Sequence, residues 1–573
     1  MPEGIGVSPG IAIGIAAIKN APVQTESKVS VGEPEQELVR LESAIEKCRS
    51  NFLELNRNAK LTMGEEAAAV FDAHAMILKD PALIEGIKAE IMQGNSAEYA
   101  VKTVGEHFAQ MFLQMDDEYF QERSEDIRDV ISQLLGRLRG YDITENIAYE
   151  SPTILVADEL SPSEMARMDR ESVVGIILER GGRTSHVAVM AKSMSIPVVV
   201  LEEACKMAED GMTIAMNGED GTVLFDPAAE PLETLRLRKE RQERLRHAYQ
   251  RMVGVGTSDR TGKHIRLLGN VGGLADVNEV LAQDGEGVGL FRTEFLYMNQ
   301  DDLPGEEQQF AVYREVAQRM SGCPVIIRTF DIGGDKDASS LQLPKEDNPL
   351  LGYRGIRICL RQISLFKTQL RAILRAGAFG NIKLMFPMIS CVEELEQALA
   401  ILAEVKEELR EEQEPFNEQM ETGIMIEVPA AAVLSDHLAS RVDFFSIGSN
   451  DLTQYVTAAD RGNNRVENLY NPLNPAVLRL IQFTVESAHK AGIWVGVCGE
   501  IASSYKIMPL LLGMGVDELS VAAGTLLRTR YLISMLSHSE LAETAQKALS
   551  LPSAATVEKL IEEAYGKDLK ALI

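Results

Sequence analysis

A chain of 573 residues with 45% apolar and 25% charged side chains has an ordinary globular composition, and is long enough for several domains with cores of their own. Its net charge of −29 argues against nucleic acid as a partner, since holding a phosphate backbone takes a basic face. The opening Met1-Pro2-Glu3-Gly4 lacks the basic start of a signal peptide, no apolar run approaches the ~20 residues of a membrane span, and Cys48, Cys205, Cys323, Cys359, Cys391 and Cys498 show no Cys-x-x-Cys spacing, so membrane, disulfide framework and zinc site are all unexpected and the cytoplasm is the default location.

In chain order, Val7–Ile18 reads as strand and is followed by a long amphipathic, acid-rich helical region from Pro34 to Leu138. Pro34 suits a first helical position, where its missing N–H costs nothing. Strands resume at Thr153–Ala157 and continue to Val223–Phe225. This pattern predicts an α/β domain built from residues 1–20 and 143–226, with a helical domain inserted at 21–142. The insert carries 23 acidic and 13 basic residues, the composition of a solvated bundle. Inside the α/β part, Val173–Leu178 reads as a buried strand, then Gly181-Gly182-Arg183-Thr184-Ser185-His186, then a helix of small and apolar residues to Met194. Glycines at a strand-to-helix turn let backbone approach a ligand closely. A histidine at the helix start has free N–H groups and the positive dipole end beside it, which suits an anionic group carried on its ring. Standing alone, such a histidine is more often structural; the second half of the chain reverses that reading.

Residues 227–256 read as a linker. Leu232–Tyr249 is a charged helix of mixed sign, and Gly254-Val255-Gly256-Thr257-Ser258 looks like a hinge. From 257 to 573, eight strand candidates alternate with amphipathic helical stretches: Ile265–Asn270, Val288–Arg292, Val325–Phe330, Lys383–Met388, Ile424–Val428, Phe444–Asn450, Trp494–Glu500 and Glu518–Ala522. Eight βα units in about 300 residues predict a (β/α)8 barrel, in which chemistry sits where strands end. Polar residues fall at those ends: Arg292 and Glu294, Arg328 and Asp331, Glu427, Asn450 and Asp451, Cys498 and Glu500. Arg292, Arg328, Arg354 and Arg461 present forks that match phosphate and carboxylate oxygens. Glu427 and Asp451 offer hard oxygens that, with a substrate phosphate and water, suit Mg²⁺ better than a transition metal. Gly4-Ile5-Gly6 is not a full dinucleotide fingerprint and no G-x-x-x-x-G-K-[ST] loop occurs, so the nucleotide-binding reading is weak.

At this density of motifs the chain resembles enzyme I of the bacterial phosphoenolpyruvate:sugar phosphotransferase system over essentially its whole length. The Gly-Gly-Arg-Thr-Ser-His186 run resembles that family's phosphohistidine signature. The stretches around Arg292, Arg328, Arg354, Glu427, Asn450-Asp451, Arg461 and Cys498-Gly499-Glu500 resemble its substrate and metal motifs. The resemblance implies that His186 accepts the phosphoryl group and that Arg292, Arg328, Arg354, Asn450, Asp451 and Arg461 hold phosphoenolpyruvate. It implies that Glu427 and Asp451 hold Mg²⁺ and that Cys498 protonates the enolate. It further implies a swivelling phosphohistidine domain, a homodimer formed through the barrel, and a helical docking face for the phosphocarrier HPr. That face is expected around Glu65, Glu66, Ala69, Met76 and Leu83, where acids flank apolar residues presumed exposed. Departures from the pattern are Val187, Ser449 and Ala502-Ser503-Ser504. Two rivals remain. A relative of pyruvate phosphate dikinase or phosphoenolpyruvate synthase would need a large ATP-binding domain where only the helical insert stands. A non-catalytic phosphoenolpyruvate sensor would need neither His186 nor Cys498.

Overall fold

Period-two apolar patterning at both ends of the first 226 residues resolves into a single seven-stranded sheet. The computed structural model describes residues 4–19, 33–114, 118–141, 146–182, 185–298, 302–334, 341, 343–344, 346–463 and 465–570, and divides into two units, Met1–Arg244 and Leu245–Ile573. In the first unit the strands are β1 (Ile5–Ser8), β2 (Ile11–Lys19), β3 (Thr153–Ala157), β4 (Val173–Leu178), β5 (Val198–Val200), β6 (Thr213–Asn217) and β7 (Val223–Phe225), in the order β1-β5-β4-β3-β2-β6-β7. The pairs β2–β3, β3–β4 and β4–β5 are parallel; β1–β5, β2–β6 and β6–β7 are antiparallel. The N-terminal strand is thus broken in two, a correction with a local cause. Gly10 takes φ +127°, and a Cβ there would lie 2.8 Å from Pro197 Cγ, so the chain turns at Pro9-Gly10.

Five helices separate β2 from β3 among the described residues: α1 (Pro34–Thr62), α2 (Glu65–Ile77), α3 (Pro81–Met92), α4 (Ala97–Leu113) and α5 (Glu118–Leu138). Pro34 occupies the first turn of α1 as its chemistry dictates. Asp80 caps α3 by accepting from Ala82 N at 2.8 Å, and Ser96 caps α4 by accepting from Tyr99 N at 3.2 Å. Their apolar stripes meet in one core through Leu41, Phe52, Phe71, Ile87, Val101 and Val130. Leu83 belongs to that core as well, with only 2% of its surface exposed. It therefore cannot serve on a docking face as expected; Leu83, Ile87 and Ile91, four residues apart, share the buried face of α3.

The second unit is a closed, all-parallel barrel: β8 (Arg266–Val271), β9 (Val288–Phe291), β10 (Val325–Arg328), β11 (Ile382–Phe386), β12 (Thr422–Ile426), β13 (Phe444–Ile447), β14 (Trp494–Val497) and β15 (Glu518–Ala522), closing β15 to β8. Each of the eight expected strands forms. Five of them stop two or three residues short of their expected ends, at Arg328, Phe386, Ile426, Ile447 and Val497. The residues beyond leave the ladder, which frees them to line the mouth. The interior is filled by Leu290, Ile326, Met385, Met425 and Phe444. At the opposite end Trp494 stacks on Phe444 with centroids 4.5 Å apart and takes the Arg266 guanidinium over its ring at 4.1 Å.

The charged helix expected in the linker spans Ala229–Gln250. The glycine-rich segment after it, expected to be a hinge, is hydrogen-bonded to the barrel. Buried Arg530 donates from Nε to Thr257 Oγ1 at 3.0 Å and from Nη1 to Met252 O at 3.0 Å and Asp284 Oδ2 at 2.9 Å, while Gly254 N donates to Asp284 Oδ2 at 2.8 Å. These bonds fasten residues 252–257 to the barrel.

Candidate active site

The eight barrel residues to which the resemblance gives a role all line one cavity of about 430 Å³ at the C-terminal ends of the strands: Arg292, Arg328, Arg354, Glu427, Asn450, Asp451, Arg461 and Cys498. Asp331, Glu467, Tyr470 and Glu500 complete its polar wall. Arg292, Glu427 and Cys498 are the first residues beyond β9, β12 and β14, and Asn450 and Asp451 lie in the first turn of the helix Ser449–Thr457 that follows β13.

Asp331 organises the arginines. It pairs with Arg328 Nη1 at 2.9 Å and with Arg354 Nη2 at 3.2 Å, and Arg328 also pairs closely with Glu294. Burial works against both guanidiniums, but Asp331, with Glu294 for one and Asp451 for the other, outweighs it and holds them charged beyond their ordinary range. Arg354 is steadied further by Tyr455, whose hydroxyl accepts from Nη1 at 3.2 Å and donates to Leu350 O. The forks are thus preorganised before any anion arrives.

The carboxylates are less satisfied. Glu427 Oε1 accepts from Met388 N at 2.6 Å, an amide aimed by the left-handed conformation of Met388 (φ +56°), while Glu427 Oε2 and Asp451 Oδ1 have no hydrogen-bond partner. Burial, then the charges of Asp331 and Asp451, push the Glu427 carboxyl above its usual range despite Arg328 and Arg354. Gly448 packs under it: a Cβ there would lie 2.9 Å from the Cβ of Glu427. Asn450 and Glu500 bond reciprocally, Nδ2 to Oε1 at 3.1 Å and Glu500 N to Asn450 Oδ1 at 3.3 Å. Cys498 is 3% exposed, with its sulfur 3.7 Å from Ile447 O. Burial pushes its thiol up to about 11, against the pull of Ser446 and Arg328, so it is a protonated donor at neutral pH.

His186 lies in the first unit, as the first residue of the helix His186–Met194. Ser185 caps that helix, accepting from Ala188 N at 3.3 Å and donating to Gly182 O at 3.1 Å. The imidazole borders a cleft of about 220 Å³ with Lys19, Asp126, Asp129, Glu159 and Glu164 among its charged walls. Its Nδ1 is 3.5 Å from Asp126 Oδ1. Burial favours the neutral form of Asp126, but contacts with His186 and His74 prevail and hold its carboxyl well below the usual range.

Asp126, His74, Tyr455, Tyr470 and Glu467 carry no sequence signal of their own. Asp126 lies in a charged run that reads as an ordinary solvated helix face, and only the pairing of helices brings it to His186. Glu294 and Asp331 were visible as strand-end acids; their role as counter-charges was not. On the expected docking face, Ala69 and Met76 are exposed on α2 two turns apart, and the side chains of Glu65 and Glu66 lie outside the described residues.

Three family models match the chain: PEP-utilising enzyme, N-terminal, over residues 3–123; PEP-utilising enzyme, mobile domain, over 149–221; and PEP-utilising enzyme, PEP-binding domain, over 246–538. The phosphoenolpyruvate-protein phosphotransferases of Priestia megaterium and Bacillus subtilis (strain 168) are each 43% identical over 565 residues, covering 98% of this chain and 99% of theirs. A solution structure of Enzyme I is 33% identical, covers 42% of this chain and all of its own, and superposes with a TM-score of 0.36.

Proposed function

This chain belongs to the phosphoenolpyruvate-protein phosphotransferases, and we propose that it moves the phosphoryl group of phosphoenolpyruvate to its own His186 and from there to the phosphocarrier HPr. The observation that carries the reading is the barrel-mouth cavity, where four arginines, two carboxylates with open oxygens and a protonated thiol converge. Arg292, Arg328, Arg354 and Arg461 clamp the phosphate and carboxylate of the substrate, with Asn450 as a neutral donor beside them. Glu427 and Asp451 fit Mg²⁺, because Glu427 Oε2 and Asp451 Oδ1 are hard oxygens that accept no hydrogen bond, although Asp451 Oδ1 lies 3.6 Å from Arg354 Nη1. When bound, that ion supplies positive charge against the substrate's anionic groups.

The lone pair of His186 Nε2 forms the new P–N bond as the bond from phosphorus to the enol oxygen breaks. The protein contributes position and charge neutralisation. The enolate carbon takes the proton of Cys498 Sγ, giving pyruvate, and the thiolate regains a proton from water. In the second exchange the histidine of HPr attacks the same phosphorus and the P–N bond to His186 breaks. Acids on the helical insert attract a basic partner, with Ala69 and Met76 as its apolar contacts. The protein acts as a homodimer joined through the barrel and works in the cytoplasm; no helix among the described residues is long and apolar enough to cross a membrane.

The decisive experiment incubates the protein with radiolabelled phosphoenolpyruvate and Mg²⁺, then maps alkali-stable phosphohistidine with and without HPr. Label on His186 that HPr removes is the expected result. Labelling from ATP but not from phosphoenolpyruvate would overturn the assignment.

A further inference from the structure

His74 sits on α2 with no exposed surface, between the rings of Phe52 and Phe71 at centroid distances of 5.2 and 5.9 Å. Core histidines normally find a partner and stop there. This one reaches out of the core by way of a carboxylate. Its Nε2 is 3.1 Å from Asp126 Oδ1, and the same oxygen is 3.5 Å from Nδ1 of His186. The other oxygen, Oδ2, takes Arg123 Nη1 at 3.2 Å. On its far side, His74 Nδ1 is 3.7 Å from Asp129 Oδ2 and makes no hydrogen bond, while that oxygen accepts from Ser163 N at 3.0 Å. A single carboxylate oxygen therefore stands between a buried imidazole and the half-exposed one that carries the chemistry.

We propose that His74 is a positioning residue that acts on His186 through the shared oxygen of Asp126. The inference rests on the reading of His186 as phosphoryl acceptor. An oxygen that accepts from one imidazole is a weaker acceptor toward the next, and the low dielectric around a carboxylate 1% exposed makes that competition large. His74 thus sets how strongly Asp126 holds the Nδ1–H of His186. That hold fixes the tautomer with its lone pair on Nε2 and sets how basic that lone pair is. The same N–H stays on the ring when Nε2 gives up the phosphoryl group. The groups facing His74 are Asp126 and Asp129 of α5 and the two phenyl rings; Asp126 in turn faces Arg123, His74 and His186.

The test is ring-nitrogen NMR of the full chain labelled at histidine, with His186 among the eight histidines assigned by its loss in His186→Ala. His74→Leu removes the donor, so Asp126 pulls harder and the titration midpoint of His186 rises by about half a pH unit. Asp126→Asn lowers the midpoint, and His74→Leu added to Asp126→Asn changes nothing further, the mark of a route through one residue. His74→Gln, which keeps an N–H, stays near the native value. An unmoved midpoint in folded His74→Leu overturns the proposal, as does an equal shift with and without Asp126. Should His74→Leu fail to fold, His74→Gln and His74→Asn are compared instead, since the shorter Asn cannot reach Asp126; equal midpoints in that pair overturn it too. Phosphoenolpyruvate labelling of the native chain is run alongside. Failure of labelling sinks the functional reading, whereas labelling with unmoved midpoints sinks only the role of His74.

Discussion

Replacing Glu518 by Gln is expected to stabilise the barrel, and by an amount that depends on pH in a definite sense. Glu518 is the first residue of β15, 2% exposed, at the end of the barrel away from the cavity. It pairs in register with Arg266 and Gly496, and its nearest cation is Arg266 Nε at 3.7 Å, too far for a hydrogen bond. Burial pushes its carboxyl from 4.5 up to about 7, only partly countered by Arg266 and Lys383. A shift of that size corresponds to about 3 kcal/mol. Because the folded-state value is the higher one, the protonated carboxyl contributes fully below pH 4.5 and that contribution is lost as pH rises through 7. Gln mimics the protonated form at every pH. Native protein and variant should therefore match near pH 4.5, and the variant should gain about 3 kcal/mol by pH 8. Urea unfolding followed through Trp494, the single tryptophan and part of the same cluster, reports the difference directly. Phosphoryl transfer should be untouched. A stability difference that stays constant from pH 4.5 to 8, or a variant less stable at pH 8, would refute the argument from burial.

Other variants separate the two halves of the chemistry. His186→Ala should abolish labelling from phosphoenolpyruvate while calorimetry still shows substrate binding, because the arginine clamp belongs to the other unit; lost binding would contradict that division. Cys498→Ala should slow pyruvate release by about 10²–10⁴-fold, the range of a lost general acid, with the fold kept. Since the native thiol titrates only near 11, pyruvate release should show no loss of that acid between pH 7 and 9, and a decline with a midpoint near 9 would make the thiol an ordinary one. Glu427→Ala and Asp451→Ala should each raise the Mg²⁺ requirement at least about tenfold, measured as the concentration for half-maximal labelling; an unchanged requirement removes both from the metal site.

Much of the barrel and its mouth was legible because each signal was local. A strand ends, and the polar residue beyond it, Arg292, Glu427 or Cys498, projects into the mouth by the geometry of the fold alone. What stayed hidden depends on pairings across long separations. The acids that charge the arginines were visible as letters, yet that Asp331 divides itself between Arg328 and Arg354 follows only from the closed barrel. Asp126 and His74 belong to helices whose polar positions read as solvated, until packing brings one beside the helix that starts at His186. Leu83 goes the other way: an apolar residue among acids reads as exposed, yet it shares the i, i+4, i+8 face of α3 with Ile87 and Ile91 and lies in the core.

The segment expected to be a hinge is held by bonds of the same long-range kind. Gly254 and Gly256 are locally the most permissive residues of the linker, with φ +75° at Gly254 and open space around both. Freedom at a single residue does not make a joint, however, if its neighbours are bonded on both sides. Arg530, more than 270 positions along the chain, holds Met252 and Thr257, and Asp284 holds Gly254. A buried guanidinium freed of these partners would be left uncompensated, a cost of about 3–5 kcal/mol, so opening this segment is disfavoured by far more than its glycines gain. On the proposed reading, in which His186 meets first a substrate and then a partner protein, the reorientation is expected to be absorbed upstream of Met252.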